Sequence, residues 1–148
     1  EWDALIAADI FATRSSLTGI HAGLFYAKNP FVFVMACDTP FIRKEVIQTV
    51  LDRVEPGVSV VIPRTAKGME PLCAVYSKTM LPAMERRLRQ KKFKIQGMFN
   101  KLRVKTVSES VLRKVDPELI SFFNINTPED FESARKMIHT NKDLKNEY

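Results

Sequence analysis

Phe31-Val32-Phe33-Val34-Met35-Ala36 is an unbroken apolar run that passes directly into Cys37-Asp38-Thr39-Pro40-Phe41. The run is rich in β-favouring residues and lacks apolar–polar alternation, so it reads as a strand buried on both faces. Asp38 then falls at the carboxyl end of that strand. Towards the N-terminus, Ala4 to Ile10 is a short apolar run that predicts another strand, ending near Asp9. Ser15-Ser16 offers a helix cap, Leu17, Ile20, Leu24 and Ala27 follow at helical spacing, and Asn29-Pro30 ends that helix. Towards the C-terminus, Arg43 to Val54 predicts a helix with Val46, Ile47, Val50 and Leu51 inward, and Glu55-Pro56-Gly57 a turn.

The alternation continues. Val58 to Ile62 and Leu72 to Tyr76 predict strands, separated by a polar loop from Arg64 to Gly68. Ser77 to Gln90 predicts a helix, and Pro82 near its start moves that start to Met80 or Leu81. Phe93 to Asn100 predicts a short helix, Leu102 to Val107 a strand, and Ile120 to Asn126 the last strand. Thr127-Pro128-Glu129-Asp130 opens a final helix running to about His139. Strands and helices in this order predict an α/β architecture with a largely parallel sheet. In such sheets ligands bind beyond the carboxyl ends of the strands.

Composition narrows the class. The 148 residues suit one domain, and 45% apolar content excludes a disordered chain. No apolar run approaches the ~20 residues a membrane helix needs. Cys37 and Cys73 cannot build a disulfide framework, which favours a reducing, cytoplasmic setting. Net charge is +6, and the excess is local: Arg86, Arg87, Arg89, Lys91, Lys92, Lys94, Lys101, Arg103 and Lys105 occur with no acid among them. Such a stretch attracts phosphate, or it is a solvated helix face. No recognised nucleic-acid motif accompanies the charge.

Four places carry chemistry. Asp38, at a strand's carboxyl end, suits either a Mg²⁺ ion completed by substrate phosphates or a helix cap. Cys37 reads as a buried small apolar residue rather than a nucleophile, with no His nearby in sequence to activate it. Asn124 and Asn126 fall on one face of the predicted last strand, beside a helix N-terminus that favours an anion; their other reading is the satisfaction of loop backbone. Glu70 is held extended by Pro71 and is either a ligand contact or a surface acid, with Arg64 and Lys67 just before it. Asp9, with Leu17, Thr18 and Gly19, forms the fourth; Gly19 permits close approach at a helix start. His21 and His139 have no partner at metal-ligand spacing.

In order, these pieces resemble the molybdenum cofactor guanylyltransferases, within the wider Rossmann-like nucleotidyltransferase fold. The carriers are Leu17-Thr18-Gly19-Ile20-His21-Ala22-Gly23-Leu24, Ala36-Cys37-Asp38-Thr39-Pro40-Phe41-Ile42, Glu70-Pro71-Leu72-Cys73-Ala74-Val75-Tyr76 and Phe123-Asn124-Ile125-Asn126-Thr127-Pro128-Glu129-Asp130. The resemblance implies transfer of GMP from GTP to the terminal phosphate of molybdopterin, with release of pyrophosphate and Mg²⁺ as cofactor. It makes Asp38 the catalytic Mg²⁺ ligand at the phosphates. Asp9, Leu17, Thr18 and Gly19 would lie near the nucleotide, and Glu70, Pro71, Asn124 and Asn126 would face the pterin. GTP, molybdopterin and other proteins of molybdenum cofactor biosynthesis are the implied partners, with no membrane. Two alternatives stay open: a cytidylyltransferase or sugar-phosphate nucleotidyltransferase of the same fold, and a non-catalytic binding module.

Two departures shape the expectation. Ser15-Ser16-Leu17 stands where the family has Gly-Pro-Leu, and the family's Gly-rich phosphate loop with its Lys has no counterpart in this sequence. The chain opens Glu1-Trp2-Asp3 without an initiator Met. The expectation is therefore a partial nucleotidyltransferase domain over 1–139, lacking its first strands, and a polar tail over 140–148. An exposed sheet edge and an inactive isolated fragment of an active parent are expected with it.

Overall fold

The computed structural model describes residue 4 and residues 6–140. Helix α1 (Ser16–Tyr26) is followed by β1 (Phe31–Met35), α2 (Lys44–Leu51), β2 (Val60–Thr65), β3 (Gly68–Met69) and β4 (Cys73–Ser77). A 3-10 turn (Lys78–Met80) leads into α3 (Leu81–Arg89), and a second (Ile95–Lys101) precedes β5 (Val104–Ser108) and α4 (Glu109–Leu112). A third (Ile120–Phe122) precedes α5 (Pro128–Thr140). Strand order is β1-β4-β2, with β3 continuing the same edge of β2 and β5 on its other edge.

The expected sheet was largely parallel; the pairing is mixed. β1 and β2 each run antiparallel to β4 between them, β3 is antiparallel to β2, and only β2–β5 is parallel. The cause is a short connection. Only residues 66–72 join β2 to β4, and a parallel return needs a crossover of about a dozen residues or more. Those residues hold a tight hairpin instead, with Gly68 at φ +127. Arg64 and Thr65, expected in a loop, are the end of β2.

Helices cover both faces, as expected. The period of two along each strand sorts the side chains. Val60, Ile62, Ala74 and Tyr76 pack with Leu17, Ile20 and Leu24 of α1 and Met84 and Leu88 of α3. Val61, Cys73, Val75 and Val107 pack with Val46 and Val50 of α2 and Leu112 of α4. Double-sided burial is why these strands read as continuous apolar runs. β1 is buried less than its sequence suggests: it pairs with β4 alone among the described residues, and Met35 is 47% exposed.

Other expectations change. No strand forms among the described residues of Ala4 to Ile10; Ile6 is 96% exposed and no neighbouring strand pairs there. An apolar run becomes a strand only against a partner that takes up its backbone groups. Ile120 to Asn126 is not a strand either. The buried carboxylate of Asp116 accepts the amides of Ile120 and Ser121 at 3.2 and 2.9 Å, and Leu119 at φ +55 bends the chain, so these groups are withdrawn from any ladder. The short helix expected over Phe93 to Asn100 is the 3-10 turn Ile95–Lys101, and α4 had no counterpart in the sequence reading. The tail beyond Thr140 lies outside the described residues. No helix among those described is long and apolar enough to cross a membrane.

Candidate functional site

The chain leaves β1 through Ala36, whose amide donates to Leu72 O at 3.0 Å. The Thr39 hydroxyl donates back to Ala36 O at 2.9 Å and closes the turn. That closure leaves Cys37, expected to be buried, exposed, and fixes Asp38 between Ala36 and Thr39, half-buried. Its backbone carbonyl accepts the Ile125 amide at 2.9 Å. One oxygen of its side chain, Oδ1, is buried without a hydrogen-bond partner among the described residues. A desolvated carboxylate oxygen with no donor is unfavourable unless a cation or ligand completes it.

The Asp38–Ile125 bond brings the two expected amides to the same place. Asn124 and Asn126 flank Ile125, both exposed, and neither carboxamide makes a hydrogen bond among the described residues. The chain there is not part of a sheet. The Asp130 carboxylate accepts the amides of Asn126 and Thr127 at 3.1 and 3.0 Å, and the Thr127 hydroxyl accepts the Asp130 amide at 3.1 Å. This reciprocal cap starts α5 where the sequence predicted. The Asn126 amide, then the Thr127 hydroxyl, hold the Asp130 carboxyl below its ordinary value.

Glu70 and Pro71 sit beside this loop, because the Leu72 carbonyl that Ala36 reaches belongs to their turn. The Thr65 hydroxyl donates to Glu70 Oε1 at 2.9 Å. The buried Tyr76 hydroxyl donates to Pro71 O at 2.7 Å. Asp38, the Glu70-Pro71 turn, Asn124 and Asn126 thus gather beyond the carboxyl end of β1. Lys67 and Thr65 of the hairpin, Glu109 of α4, Arg113 at its C-terminal cap, and Phe122 and Phe123 line a cavity of about 330 Å³ beside them.

The first-block residues stand apart. Asp9 is exposed in an unpaired segment. Leu17 and Thr18 are both fully buried, Leu17 in the core and Thr18 in the helix cap. The Thr18 hydroxyl donates to Thr13 O at 2.7 Å and its amide to Ser15 Oγ at 3.2 Å. Of this block's expected contacts, Gly19 is exposed at the helix start. No hydrogen bond or ion pair among the described residues links the block to Asp38. His21 is buried between α1 and α3, 3.5 Å from Glu85, against the rings of Phe11 and Phe25. No group of His, Cys, Asp and Glu suited to hold a metal by themselves occurs among the described residues.

The basic stretch is partly tied up within the protein. Arg103 and Lys105 pair with Glu55 at 2.8 and 2.7 Å. Arg87 donates to Lys94 O at 3.0 Å and Gly97 O at 3.3 Å, and Arg89 lies 3.9 Å from Glu85. Arg86, Lys91, Lys92 and Lys94 remain exposed.

Sequence reasoning missed Arg43, Asp116 and Ser121. The Arg43 amide donates to Ser121 Oγ at 3.1 Å, and its Nε lies 3.8 Å from Asp116. Asp116-Pro117 is a turn-initiating pair, and that was the available signal.

Comparison with known proteins gives the family and the fold. Residues 1–106 match the model of the MobA-like NTP transferase domain. A molybdenum cofactor guanylyltransferase of Desulfosudis oleivorans is 50% identical over 137 residues, covering 93% of this chain and 68% of the relative. A probable molybdenum cofactor guanylyltransferase of Pelotomaculum thermopropionicum is 38% identical over 137 residues, covering 93% and 66%. The crystal structure of molybdopterin-guanine dinucleotide biosynthesis protein A from Archaeoglobus fulgidus superposes with a TM-score of 0.77 at 35% identity, covering 86% of this chain and 64% of that one. The chain spans about two thirds of the length of these relatives. With a family model matched over residues 1–106 and a relative 50% identical over 93% of its length, the chain belongs to the MobA-like NTP transferase family.

Proposed function

We propose that the full-length protein carrying this sequence transfers GMP from GTP to the terminal phosphate of molybdopterin, with Mg²⁺ as cofactor. A terminal phosphate oxygen of the acceptor attacks the α-phosphorus of GTP, the bond from that phosphorus to the bridging oxygen of the β-phosphate breaks, and pyrophosphate leaves. No protein nucleophile is needed; phosphoryl chemistry of this kind depends on positioning and on neutralising charge. The observation that carries the reading is the half-buried Asp38, whose Oδ1 lacks a partner and whose backbone is bonded to the segment bearing the free Asn124 and Asn126 carboxamides. A hard-oxygen donor in want of a cation suits Mg²⁺, which keeps waters and takes one or two carboxylates plus substrate phosphates. Asp38 would hold it, and bound there it would neutralise charge on the phosphates. Asn124, Asn126 and the Glu70-Pro71 turn would orient the acceptor by hydrogen bonds. Asp9 and Gly19 would meet the nucleotide, with Leu17 and Thr18 shaping the helix start behind them. Other proteins of cofactor biosynthesis would supply the acceptor and take the product, in the cytoplasm.

The test is pyrophosphate release from the full-length protein with molybdopterin, comparing GTP, CTP and ATP, with and without Mg²⁺. GTP-dependent, Mg²⁺-dependent formation of the dinucleotide is expected, and its loss in Asp38→Ala. Preference for CTP would overturn the choice of base; an Asp38→Ala protein with full activity would overturn the metal role.

A further inference from the structure

The Asp38 loop and the Asn124–Asn126 segment belong to no common sheet, yet they run side by side. Residue 38 faces 125 through the Asp38 O–Ile125 N bond of 2.9 Å. Residue 41 faces 123, with the Phe41 and Phe123 ring centroids 6.0 Å apart. Residue 43 faces 121 through the Arg43 N–Ser121 Oγ bond of 3.1 Å. The register is antiparallel and closes at its far end on Asp116. That carboxylate accepts the Ile120 and Ser121 amides and lies 3.8 Å from Arg43 Nε. Asp116 and Ser121 are fully buried, as is the Phe41 ring, and Ala134 of α5 packs behind with Ile120. Among the described residues neither segment belongs to a strand of the sheet.

A buried carboxylate is unfavourable without close partners; its two hydrogen bonds come from the 120–121 segment, and from the other segment the Arg43 guanidinium faces it at 3.8 Å, an ion pair with no hydrogen bond at Nε. From this we infer that Arg43, Asp116 and Ser121 are positioning residues: together they set the distance between the Asp38 carboxylate and the Asn124 and Asn126 carboxamides. The inference rests on the proposed assignment of those two sides to the nucleotide and the acceptor. It extends that assignment to residues remote from either substrate. Asp38 and the amides each keep their own contacts if the brace is cut, so each substrate still binds. What changes is the alignment of one substrate with the other. Misalignment of reacting groups by about 1 Å can cost about 100-fold in rate.

The test uses Ser121→Ala in the full-length protein, read by steady-state kinetics and by amide hydrogen exchange. kcat is expected to fall by about 10- to 100-fold, while KM for GTP and for molybdopterin stays within about threefold. Exchange of the Ile125 amide is expected to quicken by about tenfold, while the Val61 and Val75 amides of the sheet hold theirs. Arg43→Gln should repeat the pattern, and Arg43→Lys, which keeps a cation opposite Asp116, should recover most of kcat. If Ser121→Ala does not fold, the Arg43 pair decides the matter, since that side chain is partly exposed. An unchanged kcat with quickened Ile125 exchange would make the brace structural only and overturn the inference. An unchanged Ile125 exchange would overturn it as well. A wild-type protein that transfers no GMP would count against the functional reading, and the exchange result would then judge the brace by itself.

Discussion

Tyr76→Phe isolates one hydroxyl. Tyr76 is fully buried in β4, at the centre of the sheet, and its hydroxyl donates to Pro71 O at 2.7 Å. Burial pushes its phenol up, as expected for a group held neutral by its surroundings. The substitution keeps the ring, so no large cavity opens; the loss is confined to the hydrogen bond and the orphaned carbonyl. A buried acceptor left unmatched costs about 1–3 kcal/mol. Pro71 is half-buried, so water partly replaces the phenol and the lower part applies, about 1–2 kcal/mol. For a domain of this size each kcal/mol moves the melting temperature by about 2–4 °C, so a fall of about 2–8 °C is expected. Differential scanning calorimetry at neutral pH measures it. The Glu70-Pro71 turn should loosen too, because Cys73 N donates to Glu70 O across it at 3.1 Å, and a raised KM for molybdopterin is the functional trace. A melting temperature within about 1 °C of wild type would refute the reasoning, since the carbonyl would then have found another donor at no cost.

Three further outcomes concern the thiols and the basic stretch. Burial, then the nearby Glu70 charge, pushes the Cys73 thiol up to about 12, whereas Cys37 is exposed. A thiol reagent should modify one cysteine in the native protein and both after unfolding; rapid native modification of both contradicts the packing. Because the folded state holds the Cys73 proton to higher pH than the unfolded chain does, stability is intact below about pH 9 and declines towards pH 12, at up to about 1.4 kcal/mol per pH unit. Urea titrations across that range should show a shallower decline for Cys73→Val, and an equal slope would remove Cys73 as its source. In Gly97→Ala the new Cβ would lie 2.6 Å from the Arg87 guanidinium, which must leave the Lys94 and Gly97 carbonyls. A lower urea midpoint is expected, and an unchanged one would mean that Arg87 contributes nothing there.

The parts legible in the sequence were those with local causes. Asp38 follows an apolar run, and Thr127 to Asp130 carry their own cap, so both landed where the pattern put them. The α1 start was readable because Ser15 caps the Thr18 amide three residues on. Ile120 to Asn126 was misread because its amides are captured by Asp116, a partner that apolar patterning does not register. The direction of β4 was present in the length of the 66–72 connection, which outweighed the α/β alternation used to infer a parallel sheet. Leu17 and Thr18 matched the family block, yet their side chains face the core and the cap. The pairing of 38 with 125 had no sequence signal, since nothing local specifies a contact between segments so far apart.

That distance has a kinetic meaning. Arg43 and Ser121 are 78 positions apart, and the segments they join are otherwise irregular. Contacts between distant positions must first overcome the entropy of closing the loop, so they tend to form late. The sheet and its helices can gather around Val60, Val75 and Tyr76 before residue 121 is available. On a ribosome, Asp38 would emerge early and wait in an unformed loop until Ile125 arrives to bind its carbonyl. The capacity for chemistry would then come at the end of folding, as the last seam to close.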